Sequence, residues 1–174
     1  MVAVLALIAA APLALENFVA APDPSFVVGQ AKVTTEDRGS RHLMAFTSQT
    51  WQGKPWKHSL ELYIPKINEF PDKALLLITG DRGAHDEDLQ NAWRLSELAK
   101  MSVAVLYDIP NQPLFEEKLR EDDLIAYSFD KYLETRNDNW PLLFPMTKSA
   151  SKAMDALEAY TEKVGIKTNG FIVT

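Results

Sequence analysis

Two short runs carry the groups best suited to chemistry, Thr79-Gly80-Asp81 and the Asn111-Gln112 pair set between Pro110 and Pro113. Each follows an apolar run with strand character. Loops that leave the carboxyl ends of buried strands are where open α/β sheets bind their ligands. Backbone N–H groups at Thr79-Gly80-Asp81 would suit an oxyanion hole, donating to the charge that develops when an acyl group is attacked. A glycine required by a strand-to-helix turn accounts for the same residues. Asn111 and Gln112 either hold a ligand at that edge or satisfy backbone groups of a packed loop. Trp140, followed by Pro141, would shape a pocket wall or, as large aromatics in loops usually do, cover a core.

The remaining titratable residues offer less. His85-Asp86-Glu87-Asp88 resembles a metal cluster in composition, but consecutive helical residues point in different directions and cannot converge on one ion. Helix capping and dipole complement explain the acids, so no metal site is expected. His58 lies in register with Trp56, Leu60 and Leu62, which favours a satisfied core histidine over a base or ligand. His42 has no partner pattern. The chain has no cysteine, which excludes thiolate ligands, disulfides and a cysteine nucleophile. It contains no Gly-x-Ser-x-Gly, P-loop, Gly-x-Gly-x-x-Gly or His-Glu-x-x-His, so no triad can be assembled and no cofactor is implied.

The elements that must position these runs are legible in the periodicity. Val27, Gly29, Ala31 and Val33 alternate with polar residues, Glu36 to Ser40 turns the chain, and His42, Met44 and Phe46 alternate on the return. A third strand shows one face at Trp56, His58, Leu60, Leu62 and Ile64 and ends at Pro65. The period then changes. Lys73 to Gly80 is a buried strand; Asp86 can cap a helix with an apolar side at Ala92, Leu95, Leu98 and Ala99; Ser102 to Tyr107 is a second buried strand. That is a βαβ unit of a parallel sheet. A helix bearing Leu124, Ile125, Ser128, Phe129 and Tyr132 on one face follows. Thr147 is expected to cap a long helix that ends at Gly165, before a last strand at Gly170 to Thr174.

The 174 residues suffice for one domain with a real core, and the net charge of −6 without basic runs argues against a nucleic-acid partner. The first fifteen residues are almost wholly apolar. They are too short to span a membrane but suit a secretion signal, with Ala9-Ala10-Ala11 as the small residues near a cleavage point, although no Lys or Arg precedes them. The expected organisation is a signal over 1–20 and the amino-terminal part of one α/β domain over 21–174, with a helical insertion at about 111–145.

Several runs together resemble the PhoPQ-activated pathogenicity-related proteins: Pro22-Asp-Pro-Ser25, Thr47-Ser-Gln-Thr-Trp51, Trp56-Lys-His58, Pro110-Asn-Gln-Pro-Leu114, Glu121-Asp-Asp-Leu-Ile-Ala-Tyr127, Trp140-Pro141, Pro145-Met-Thr-Lys148 and Ala153-Met-Asp155. They follow the family's order across nearly the whole chain after the apolar start. The resemblance implies an α/β-hydrolase-like sheet in an exported (secreted or periplasmic) protein more than twice this length. The family's nucleophile serine lies in a Gly-Ala-Ser-Lys-Arg-Gly-Trp segment directly after the strand matching Phe171–Thr174, so the implied serine lies beyond Thr174. Thr79-Gly80 takes the place of the family's oxyanion loop, where Gly-Gly is more usual than Gly80-Asp81. The expectation is the amino-terminal part of an ester or amide hydrolase acting on a small molecule or peptide, inactive by itself. The alternative is a secreted binding, signalling or virulence-related protein on the same fold.

Overall fold

A computed structural model describes residues 13–81 and 86–174, with only the backbone of residues 86–89. Helix α1 (Leu13–Ala20) leads into β1 (Val27–Val28), β2 (Lys32–Glu36), β3 (Gly39–Trp51) and β4 (Lys54–Pro65). Then come β5 (Lys73–Ile78), α2 (Asp86–Ala99), β6 (Ser102–Leu106), α3 (Glu121–Thr135), α4 (Leu143–Lys163) and β7 (Gly170–Val173). The strands form one seven-stranded sheet ordered β1-β3-β4-β6-β5-β7, with β2 also on β3. β4 joins β6 antiparallel, whereas β6, β5 and β7 run parallel. This is the α/β-hydrolase-like arrangement expected of antiparallel strands leading into a βαβ core.

The alternation along each strand sends side chains to two separate cores. Met44, Leu60, Leu62, Leu76, Ala104 and Leu106 face α4, where Ala153, Ala156 and Leu157 meet them. Tyr63, Val103, Val105 and Tyr107 face α2 and pack on Ala92 and Trp93. All five β6 residues are buried, as befits a central strand covered on both sides. A third cluster around Trp51, Trp56, Leu114, Leu124 and Leu142 joins the β3–β4 hairpin to α3 and the start of α4.

Several local expectations are corrected. The α2 face turned inward is Ala92, Trp93 and Ser96; Leu98 is exposed. Val27 and Val33 are exposed too, because β1 and β2 lie at the sheet margin with little packed over them. Thr147 does not cap α4. The helix begins at Leu143, and the Thr147 hydroxyl donates to Leu143 O at 2.8 Å. Pro145 falls in the first turn, where a missing N–H costs no helical bond. The far end is as expected. Gly165 adopts φ +81°, donating its N–H to Glu162 O while Ile166 N–H reaches Thr161 O, a Schellman motif. The Asp86 capping expectation and the His85–Asp88 cluster fall outside the described residues or side chains.

Candidate active-site edge

The loops after β5 and β6 are joined at the carboxyl edge of the parallel strands. Thr79 N–H donates to Leu106 O at 2.9 Å, Asp108 N–H to Gly80 O at 2.8 Å and Ile109 N–H to Thr79 O at 3.1 Å. The Thr79 amide is therefore committed to the sheet and is not free to donate to an oxyanion hole. Among the described residues, a Cβ on Gly80 would meet nothing within 4 Å. The Asp81 carboxylate turns to two partners, accepting from Gln112 Nε2 at 3.2 Å and pairing with Arg120. Arg120 offsets the negative charge that sets this loop apart from a Gly-Gly pair.

β7 arrives at the same edge. Thr174 N–H donates to Leu76 O at 3.0 Å and Thr174 O accepts from Ile78 N–H at 2.9 Å, so the chain leaves β7 beside Thr79.

Asn111 and Gln112 are brought to this edge with different tasks. Asn111 is bonded to β4, donating from Nδ2 to Lys57 O at 2.7 Å and accepting from Lys57 N–H at 3.4 Å. Gln112 links three segments: besides Asp81 it accepts from Glu121 N–H at 2.9 Å and donates to the Glu121 carboxylate at the start of α3. Trp140 stands apart from these. Its ring lies 6.2 Å from Trp51, 6.0 Å from Phe115 and 6.3 Å from Tyr127, so it caps the third core cluster.

Behind the edge runs a buried polar chain that the sequence did not suggest. Asp108 sits in the left-handed region at φ +66°, and its carbonyl accepts from His58 Nδ1 at 3.1 Å. His58 Nε2 meets Ser48 Oγ at 2.9 Å, Ser48 Oγ meets Ser149 Oγ of α4 at 2.8 Å, and Gln49 Nε2 donates to Ser149 Oγ and to Pro145 O at 3.1 and 2.7 Å. His58 is 3% exposed, and burial lowers its pKa from 6.5 to about 4, outweighing the opposing bonds and charge of Asp108 and Tyr107. It is a neutral core histidine, satisfied at both ring nitrogens. The β3–β4 register slips between Thr47 and Gln49, and this bulge turns both Ser48 and Gln49 inward. Two adjacent polar residues interrupting an alternating strand were the available signal. His42 is partnered as well, by Ser40 at 2.8 Å and Tyr160 at 2.6 Å. Among the described residues no group of acids and histidines is arranged to hold a metal ion.

Sheet, helices and edge together define an α/β-hydrolase-like fold. Two solved structures share it: a glucuronoyl esterase from Solibacter usitatus, with TM-score 0.51 and 16% identity over 92% of this chain and 50% of that one, and a putative acetyl xylan esterase from Bacteroides fragilis, with TM-score 0.55 and 16% identity over 92% and 44%. The chain belongs to the PhoPQ-activated pathogenicity-related protein family, whose model matches residues 15–174. Among curated proteins it is 27% identical over 175 aligned positions to Autocrine proliferation repressor protein A of Dictyostelium discoideum, covering 91% of this chain and 35% of that protein. The chain thus spans about a third of that relative and half or less of the two esterases.

Proposed function

We propose that this chain is the amino-terminal part of an exported, secreted or periplasmic, serine-hydrolase-like protein that cleaves an ester or amide. The observation that carries the reading is the meeting of three strand ends. The loops after β5 and β6 are bonded together, and Thr174 is bonded between Leu76 and Ile78 beside them. A serine shortly after Thr174 would face the Gly80 and Asp81 amides across the edge, the arrangement an acyl transfer needs. A histidine and an acid from the following chain would complete the triad. The esterase neighbours share the fold and support the class of reaction without fixing a substrate. The role given to this chain is a platform: Gly80 and Asp81 as donors, Gln112 and Arg120 holding the loop, and Trp140 packing the insertion over the sheet.

The test compares the whole gene product with residues 1–174 on p-nitrophenyl acetate. The whole protein should turn over the ester, lose that activity when the serine after β7 is replaced by alanine, and leave the 1–174 chain at background. Hydrolysis by the 1–174 chain would refute this placement of the chemistry.

The name of the Dictyostelium relative describes a repressor of proliferation, which favours a second reading as a secreted binding or signalling protein. A serine-to-alanine variant of the whole protein that keeps its full biological effect would support that reading.

A further inference from the structure

A cleft of about 350 Å³ opens between α1, the end of β3 and the loop before α4. β3 lies three strands from β5 in the sheet, roughly 14 Å across, so this cleft is separate from the edge where β5, β6 and β7 end. Its walls are fastened to one another. Asn139 O accepts from Trp51 Nε1 at 2.8 Å and from Gln52 Nε2 at 3.0 Å, which ties the loop to the β3–β4 hairpin. Lys148 Nζ donates to Ala21 O at 2.7 Å and Phe18 O at 3.2 Å, which ties α4 to the end of α1. The Asp23 carboxylate accepts from Thr50 N–H at 3.0 Å, which ties the chain after α1 to β3. A cleft held in this way needs little ordering when a ligand enters.

Two buried polar side chains that line it keep unused bonding capacity. Lys148 is 4% exposed and carries three N–H donors; the carbonyls of Phe18 and Ala21 take two, and the third has no acceptor among the described residues. Gln49 is 1% exposed. Its Nε2 is taken by Pro145 O and Ser149 Oγ, whereas its Oε1 has no hydrogen-bond partner among the described residues. Buried polar groups in folded proteins are nearly always paired, so a spare donor and a spare acceptor lining one cleft call for a partner from outside. At the rim, the side chains of Asn17, Asp138 and Asn139 are exposed and form no hydrogen bonds among the described residues.

The charges narrow the partner. Burial lowers the Lys148 pKa, and the Asp23 carboxylate opposes that shift, so the ammonium already has an anion near it. A ligand anion would approach Asp23 and Asp138, and a ligand cation would meet Lys148. Neither sign is matched. The lining offers donors and acceptors together, and the hydroxyl is the group that serves both. The Phe18 ring and Pro22 add apolar surface for the carbon-bound hydrogens of such a ligand.

We propose that this cleft binds a neutral, hydroxyl-rich ligand with the size and chemistry of a sugar ring, one hydroxyl being shared by the Lys148 ammonium and Gln49 Oε1 and others by Asn17, Asp138 and Asn139. The site does not rest on the hydrolase reading, and no covalent bond is made or broken in it.

The experiment titrates the whole gene product with D-glucose, D-galactose, D-xylose and myo-inositol, and with acetate and tetramethylammonium as charged probes, by saturation-transfer NMR and calorimetry. At least one neutral probe should bind saturably with a Kd of about 10 mM or tighter. Asp138→Ala combined with Asn139→Ala removes two exposed side chains and leaves the Asn139 carbonyl in place, so it should keep the Tm and weaken binding about fivefold or more. Asn17→Ala, on the α1 wall, should independently weaken it about threefold or more. No saturable binding of any neutral probe up to about 50 mM overturns the site. Unchanged binding in both variants overturns it as well, and tighter binding of acetate or tetramethylammonium than of the sugars overturns the ligand class. Whole protein isolated without residues 13–21 would lack one wall of the cleft, and sugar binding by that form would overturn the assignment.

Discussion

His58 should make the protein lose stability as the pH falls below neutrality. In the folded protein it is neutral at 3% exposure, with a pKa lowered to about 4; an unfolded chain restores the ordinary 6.5. Between those values the unfolded state binds a proton that the folded state refuses. Stability is therefore full above pH 6.5 and falls as the pH drops towards 4. One pKa unit corresponds to about 1.4 kcal/mol, so the loss from this residue approaches about 3 kcal/mol, a large part of a domain's stability. His42, whose pKa burial also lowers, adds to the slope in the same direction. The assay is urea unfolding followed by tryptophan fluorescence at steps from pH 7.5 to pH 4.5, on the unaltered protein and on His58→Gln. The variant should be less stable at pH 7.5, because the Asp108 and Ser48 partners are imperfectly replaced, yet lose less on acidification. The two curves should converge near the acid end. Equal pH slopes between 6.5 and 4.5 would refute the reasoning.

Other perturbations should follow the same physics. Glu61 is buried, bonded to Arg41 at 2.9 Å and to the Tyr63 hydroxyl, so Arg41→Met should cost about 1–3 kcal/mol in chemical unfolding by removing one ion-pair partner from a buried carboxylate. Gly39 sits at φ +146°, and a Cβ there would lie 2.1 Å from Ile64 O; Gly39→Ala should cost about 1–3 kcal/mol, read as a lower Tm. Leu106 is fully buried in the larger core, and Leu106→Ala should cost about 2–5 kcal/mol by the same measurement. The Arg120–Asp81 pair is nearly half exposed at both side chains, so Arg120→Ala should change stability by less than about 1 kcal/mol; the platform reading predicts that it slows ester hydrolysis by the whole protein.

The parts of the fold that the sequence disclosed are those where one signal dominates. Trp56, His58, Leu60 and Leu62 share a buried face because a strand's period of two admits no other arrangement. Val103–Leu106 is apolar throughout because helices cover both sides, and Gly165 marks a helix end because its positive φ suits glycine. The missed parts depend on partners distant in sequence. Ser48 and Gln49 turn inward through a bulge, and their hydrogen-bond partners come from α4, about a hundred residues away. Leu98 looked like an inward residue because helical spacing permits it, but Trp93 and Ser96 take that face. At the candidate site, the sequence pointed to both loops of the edge. It could not say that the Thr79 amide would be consumed by Leu106, or that Asn111 would be tied to Lys57 while Gln112 reached Asp81. Those outcomes depend on three-dimensional register.

The central claim is that this sheet edge becomes an active site when the chain continues past β7. Labelling the whole gene product with a fluorophosphonate, followed by peptide mapping, tests it most directly. The account predicts a single modified serine within a few residues after Thr174, and no labelling of the 1–174 chain. A modified residue elsewhere, or a whole protein that stays unlabelled, would contradict it.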